Sequence, residues 1–485
     1  MRSDLEAREW LLRAMRGGWL CLGLAGCSGE PEVPSPTAIA SSPPTSVLLI
    51  GADGFACDLA QPMLEAGELP HLAGLIQRGV FGNVATLRPT KSPVIWTTIA
   101  TGVGKRKHGI KGFLNRPGKA VSAEAGPEAD PSRKKDLVRS TDRKVKALWN
   151  ILTDAGRRVA SIGWWVTYPV EPVNGVMVAQ TNTVKPKRTE KAVLTLKGAV
   201  YADHPGQVWP LEREGQLNGQ IQAVEAGLDR RVLRIFGGPF DKRFGAAWNN
   251  MWTGSLWSMR SDAIYHALSL DLLRSKTASY DLFMVYYGGT DVLAHRFFRW
   301  LKPERFAHPP APEEVAAFQD IIPAYYRELD RMVGELVAAA PQDANIILVS
   351  DHGMGAHEPE RPFLGNDPAG TSQTGGHKDA PPACLVAAGP HIQSAGTGLV
   401  PASHLGSVHM ITPTVLALLQ LPVGEDMGGR PSEKIIDPAY LRQNPPSSAP
   451  SHTPPGWRPE VVAVETDALG DEERREQLRA LGYLE

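Results

Sequence analysis

The sequence predicts an α/β domain with a central, mostly parallel sheet flanked by helices and an inserted cap region. Short apolar runs recur at 46–51 (SVLLIG), 157–165, 280–288, 345–351 and 383–389. Their hydrophobicity is too continuous for a half-solvated strand, so they read as strands buried on both faces. Between them lie stretches with apolar residues at helical spacing, 69–79 ending at Gly79 and 312–340 bent at Pro323. Alternation of the two implies parallel strands with helical crossovers. The 485 residues, 42% hydrophobic and 21% charged, suit one large α/β unit with insertions or two to four units of about 150 residues.

Residues 1–26 read as a lipoprotein-type signal peptide. Arg13 and Arg16 precede an apolar core, Trp19 to Ala25, which ends in Leu24-Ala25-Gly26-Cys27. Cys27 is then the lipidation site, and such a leader lies outside the fold. Asp4, Glu6 and Glu9 are unusual in a signal, so Met15 competes with Met1 as the start. A frayed N-terminus with a chance LAGC is the other reading. Residues 27–46 are a Pro/Ser-rich tether. The folded region runs over 47–435. Within it, 185–275 has few clean strands and much Gly, Trp and charge, and reads as an insertion or cap over one edge of the site. Residues 436–485 read as a Pro-rich linker and a charged C-terminal helix, 471–484. A lipid anchor would place the protein in a bacterial cell envelope facing the periplasm, with Ser28 favouring the outer membrane.

Composition excludes several classes. Lys plus Arg is 51 and Asp plus Glu is 52. That balance argues against a nucleic-acid binder held by a positive field, leaving at most a nucleotide substrate. No stretch approaches the ~20 apolar residues of a membrane span. Four cysteines, none in a CxxC pair, exclude a disulfide scaffold and a cysteine zinc module. Cys57 and Cys384 could pair in an oxidising compartment, which sequence leaves open.

Acids and histidines follow the apolar runs in four segments: Asp53 in LLIGADG, Asp291 and His295 in YYGGTDVLAH, Asp351 and His352 in ILVSDHGMG, and His377 in TGGHKDAP. Ligands of open α/β sheets bind at the carboxyl ends of strands. Singly, each has a structural reading: a turn or helix cap for Asp53, a helix-surface pair for Asp291 and His295, a turn for Asp351-His352-Gly353. Jointly they form a ligand set for two divalent metals, with zinc favoured by imidazole and manganese the alternative. Ser92, in PTKSPVIWTTIATG, precedes Pro93 and an apolar helical stretch. It is either an N-cap with Pro at the first helical position or a nucleophile at a helix N-terminus, where anions are stabilised.

With these segments in place the chain resembles the alkaline phosphatase superfamily, and within it the type I phosphodiesterase/nucleotide pyrophosphatase branch. The resemblance covers about 47–435 and also rests on KRKHGIKGF (105–113) and ITPTVLALL (411–419). It implies an alkaline-phosphatase-like sandwich and hydrolysis of a phosphate ester, diester or monoester, through a phosphoserine on Ser92. It implies one metal on Asp53, Asp351, His352 and Ser92, and a second on Asp291, His295 and His377. Two departures matter. Phe113 stands where nucleotide pyrophosphatases carry a phosphate-binding Asn, with Asn115 two residues on. The sulfatase Cys/Ser-X-Pro-Ser-Arg pattern is missing, because Pro93 follows Ser92 directly. Lys91 and Asn115 are candidate phosphate contacts, each with a bland surface reading. Trp164 and Trp165 line a substrate cleft or belong to the core. His108 is read as support for its loop. Rival readings are a phosphomutase, an envelope phospho-group transferase, and a non-catalytic metal-containing binding module. Oligomeric state is not legible.

Overall fold

The computed structural model describes residues 46–464 apart from 116–135, 181–186, 190–191, 195–199, 203, 237–250, 253, 276–278, 363–372, 380, 395 and 397. The predicted signal, Cys27, the tether up to residue 45 and the helix at 471–484 lie outside the described residues. Those described belong to one compact unit, Pro44–Glu485. Among them no helix is long and apolar enough to cross a membrane.

The sheet has nine strands: β1 (Val47–Ala52), β2 (Gly79–Ala85), β3 (Val159–Ile162), β4 (Gly175–Val178), β5 (Val208–Trp209), β6 (Leu282–Tyr287), β7 (Asn345–Val349), β8 (Ala383–Ala388) and β9 (Ala402–Ser407). Their spatial order is β9-β2-β8-β7-β1-β6-β3-β4-β5. The principal helices are α1 (Cys57–Glu65), α2 (Pro70–Gln77), α3 (Ser92–Thr101), α4 (Glu214–Phe236), α5 (Leu256–Arg274), α6 (Gly289–Leu301), α7 (Ile321–Ala339) and α8 (Ile411–Leu418).

Period-two alternation makes this sheet the middle of three layers. Leu48 and Ile50 of β1 face a core containing Leu59 of α1, Leu72 of α2, Leu268 of α5, Phe297 of α6 and Leu329 of α7. Val47 and Leu49 face the opposite core, with Ile95 and Ile99 of α3 and Val415 of α8. Strands covered on both faces need to be apolar throughout, which is what the runs show.

Only β5 and β8 run against the other strands. The 383–389 run, read as parallel, is therefore antiparallel to both neighbours. Burial on two faces writes the same composition for either direction. At the β2–β8 contact a Cβ on Gly79 would lie 1.9 Å from the Ala387 carbonyl. Gly79 thus opens β2 rather than ending the preceding helix, which stops at Gln77. Pro323 bends nothing: the 312–340 stretch breaks at Gln319–Asp320, and Pro323 sits in the first turn of α7, where a missing N–H costs no helical bond.

Two further expectations are corrected. The inserted cap was read as running to 275, but α5 is buried against the main core and belongs to a layer of the sandwich. The proline-rich stretch after 436 is not a free linker. Asp437 caps a short helix, Pro438–Gln443, the backbone N–H of Val462 donates to Val170, and Trp457 lies 5.3 Å from the Arg143 guanidinium. Proline removes donors but leaves rings and carbonyls free to pack. Cys57 of α1 and Cys384 of β8 form a disulfide with Cα atoms 5.3 Å apart.

Candidate active site

Three adjacent parallel strands, β6, β1 and β7, end at the same edge of the sheet. Asp53 follows β1, Asp351 and His352 follow β7, and the turn after β6 starts α6, which carries Asp291 and His295 one helical turn apart. His377 arrives from the segment between β7 and β8. None of these residues, nor Ser92, is more than 8% exposed. The structure therefore brings together the six Asp and His residues that the sequence singled out.

The turn after β1 is tight: Gly54 has φ +66°, and a Cβ there would lie 3.0 Å from Asp291. Glycine at this point lets two ligand-bearing segments meet. α6 is anchored from below by Asp262 of α5. Its carboxylate accepts from the backbone N–H groups of Gly288 and Gly289, each at 2.9 Å, and from the Tyr325 hydroxyl at 2.7 Å. Asp262 thereby satisfies N–H groups that the helix start leaves over. Burial pushes its carboxyl up to about 6.

Donor atoms of Asp291, His295 and His377 lie within 4.8 Å of one another, and so do those of Asp53, Asp291 and His352. Asp291 therefore stands between the two halves. His352 Nε2 is 3.3 Å from Asp351 Oδ2 and 3.5 Å from Asp53 Oδ1. His295 Nε2 is 3.4 Å from Asp291 Oδ1.

Hydrogen bonds behind the cluster fix which atoms face it. His295 Nδ1 lies 2.8 Å from the Gly375 carbonyl, and His352 Nδ1 lies 3.0 Å from that of Gly353. A carbonyl only accepts, so Nδ1 carries the proton and Nε2 the lone pair. The Thr90 hydroxyl donates its proton to the His377 carbonyl at 2.6 Å and so accepts from His377 Nδ1 at 2.9 Å. All three imidazoles thus present a lone pair at Nε2. Asp53 is oriented likewise. Its Oδ2 accepts from Tyr286 at 2.6 Å and Trp96 at 3.1 Å, while its Oδ1 makes no hydrogen bond.

Electrostatics agree with geometry. Burial lowers the pKa of His295 to about 4 and that of His377 further, so both rings are neutral, as ligation requires. Burial, then the neighbouring Asp53 and Asp291 carboxylates, push the Asp351 carboxyl well up. Three carboxylates crowded in a buried space repel one another unless cations lie between them. Asp53 Oδ1, Asp351 Oδ2 and His352 Nε2 are buried without hydrogen bonds. This donor set fits divalent cations of the zinc or manganese type.

Ser92 is the first residue of α3, and Lys91 occupies the cap position. The capping alternative is thereby removed: the Ser92 hydroxyl is buried and makes no hydrogen bond. Its position follows from its neighbours. Thr90, two residues before, binds His377, and Trp96, one turn later on the same face, binds Asp53.

The remaining candidates divide. Lys91 is exposed beside the helix start. Asn115 lies on a two-residue strand paired with Asp136–Leu137, its side chain outside the described residues. Trp164 and Trp165 do not line an open cleft. Trp164 is fully buried, donates to the Trp96 carbonyl at 3.2 Å and packs edge-on against Trp96; Trp165 packs edge-on against Phe113 and Tyr286. His108 is buried, accepts from the Ile110 N–H at 3.1 Å and faces Thr98 at 3.2 Å, supporting its loop. Sequence reasoning passed over Thr90, Trp96, Asp262 and Tyr286. Thr90 alone had a visible signal, its place in the PTKS element.

No curated protein matches the sequence. Among solved structures the chain is similar to murine ectonucleotide pyrophosphatase/phosphodiesterase 5, an inactive variant in complex with AMP, at 13% identity over 81% of this chain and 100% of that one, TM-score 0.44. It is also similar to a putative sulfatase from Bacteroides thetaiotaomicron, at 11% identity over 84% and 76%, TM-score 0.45, and to phosphonoacetate hydrolase from Sinorhizobium meliloti in complex with phosphonoformate, at 17% over 65% and 57%, TM-score 0.37. The family model described as type I phosphodiesterase / nucleotide pyrophosphatase matches residues 47–404. That span begins at β1 and takes in the nucleophile candidate and all six Asp and His residues of the cluster. The chain belongs to the type I phosphodiesterase/nucleotide pyrophosphatase family, a family of phosphate-ester hydrolases.

Proposed function

We propose that this protein is a two-metal phosphodiesterase with Ser92 as nucleophile. One observation carries the reading: three Nε2 lone pairs and three carboxylates converge, and the buried serine hydroxyl that makes no hydrogen bond stands in the chain between Thr90, which binds His377, and Trp96, which binds Asp53. Asp53, Asp351, His352 and Ser92 would hold one cation, and Asp291, His295 and His377 the other. The cations would supply positive charge for the nucleophile and for the transferring phosphoryl group. Ser92 Oγ bonds to phosphorus as the bond to the leaving alkoxide breaks, and the serine proton ends on that alcohol. The phosphoryl group on Ser92 keeps its second ester group; water then cleaves the bond between phosphorus and Ser92 Oγ, restoring the hydroxyl and releasing a phosphate monoester. The N-terminus of α3 favours the negative charge that gathers there. Thr90, Trp96 and Tyr286 hold their partners in place through both steps.

Phe113 supports a substrate other than a simple nucleotide diester. It is buried and packs on Trp165, so it offers packing and no hydrogen bond where an Asn amide would bind phosphate. The test is hydrolysis of bis-p-nitrophenyl phosphate beside p-nitrophenyl phosphate, with zinc or manganese added and after EDTA. Preference for the diester, lost with EDTA and restored by metal, is the expected result. Preference for the monoester moves the assignment to a phosphatase or mutase. Turnover indifferent to EDTA overturns the metal sites.

Two narrower predictions follow from the same reading. Thr90→Val removes the acceptor of His377 Nδ1 and will weaken zinc binding about 10- to 100-fold, measured by competition with a chromophoric chelator. The leader reading places a lipid on Cys27. Cys27→Ser will therefore abolish fatty-acid labelling and release the protein from the membrane fraction.

A further inference from the structure

A cleft of about 660 Å³ opens beside α3. Six cations line it, Arg88, Lys91, Lys105, Arg106, Lys107 and Lys111, against the single carboxylate of Asp426. All six are exposed. The whole chain has a net charge of −1, so this is a local concentration of charge. Lys107 bonds Asp426 and Arg88 bonds the Lys378 carbonyl. Among the described residues the side chains of Lys91, Lys105, Arg106 and Lys111 make neither hydrogen bond nor ion pair, which leaves four cations for a ligand.

The backbone that carries Lys105, Arg106 and Lys107 is fastened to its surroundings. Lys105–His108 is a single helical turn closed by Gly109 at φ +85°. His108 fastens it to α3 through Thr98, and the N–H of Lys144 donates to the His108 carbonyl. A Cβ on Gly112 would touch the Lys91 side chain, so the turn bearing Lys111 lies against the residue that precedes Ser92. Six like charges around one cleft favour an anion in it. A volume of this size admits a small phosphorylated molecule.

We propose that this cleft is a second phosphate subsite, and that the substrate is a phosphate ester carrying at least one further phosphate group on the same molecule. The inference rests on the phosphate-ester hydrolase reading of the neighbouring cluster. One phosphoryl group would lie at Ser92 while the other is held by Lys105, Arg106 and Lys111. The distant contact would position the ester for attack.

The experiment compares fructose 1,6-bisphosphate with fructose 6-phosphate by titration calorimetry on the metal-loaded full chain. The bisphosphate is expected to bind at least tenfold tighter, with the difference shrinking as salt rises. In Lys105→Glu/Lys111→Glu that advantage falls below threefold while the affinity for the monophosphate moves less than threefold. The milder Lys105→Gln/Lys111→Gln, checked by circular dichroism, gives an intermediate value and guards against misfolding. Equal affinity for the two ligands in the unmodified protein overturns the subsite and leaves the hydrolase reading standing. An advantage that survives both variants also overturns it. Absence of metal-dependent ester hydrolysis overturns the hydrolase reading instead, and the binding difference is measured independently of it.

Discussion

Ser92→Ala will lower hydrolysis of bis-p-nitrophenyl phosphate by at least about 10³-fold, because removing a covalent nucleophile removes the step itself. Thr90 is the closest hydroxyl in sequence, but it is occupied with both Nδ1 and the carbonyl of His377. The substitution deletes one buried oxygen that makes no hydrogen bond, so the fold loses little. The discriminating measurement pairs kcat/KM with trapping of the intermediate. Acid-quenched wild-type protein incubated with a phosphorus-labelled diester carries the labelled phosphoryl group, still esterified to its remaining alcohol, on Ser92, and the variant carries none. Activity within tenfold of wild type would remove Ser92 from the mechanism and leave direct attack by water.

Glu171→Ala will cost about 3–5 kcal/mol of stability. Glu171 and Arg143 form an ion pair with side chains 1% exposed, at 2.5 and 2.6 Å. The carboxylate also accepts from Trp149 Nε1 at 3.0 Å and Asn150 Nδ2 at 2.9 Å. Truncation leaves a buried guanidinium without a counter-charge and two donors without an acceptor. The check is the midpoint of urea unfolding, with Glu171→Gln as the form that keeps one acceptor if the Ala variant does not fold. A loss below about 1 kcal/mol would mean that water reaches Arg143 and screens it.

The candidate site was legible because its chemistry depends on residue type at strand ends. Asp53, Asp291 and Asp351 each stand just past an apolar run, and a parallel sheet brings such positions together whatever the intervening sequence. Supporting residues were illegible for the opposite reason. Trp96 and Tyr286 read as core, and they are core; only the distance to Asp53 reveals their second role. Strands β2, β4, β5 and β9 also escaped notice. Their segments are short or interrupted by glycine, and their pairing is decided by neighbours distant in sequence. The direction of β8 and the packing of Trp457 on Arg143 depend likewise on what surrounds them.

The position of β1 has a consequence for how the protein comes to exist. This first strand lies in the middle of the sheet, and Val47 pairs with Leu282 on one side and Asn345 on the other. No N-terminal fragment ending before β6 can pair β1 on either side. During synthesis the chain must therefore wait, with its most apolar segments exposed, until most of it has left the ribosome. Contacts of such high order make folding slow and intermediates prone to aggregate. Truncation series will consequently show a threshold rather than a gradient: protease resistance is absent until β7 is included and then emerges in one step.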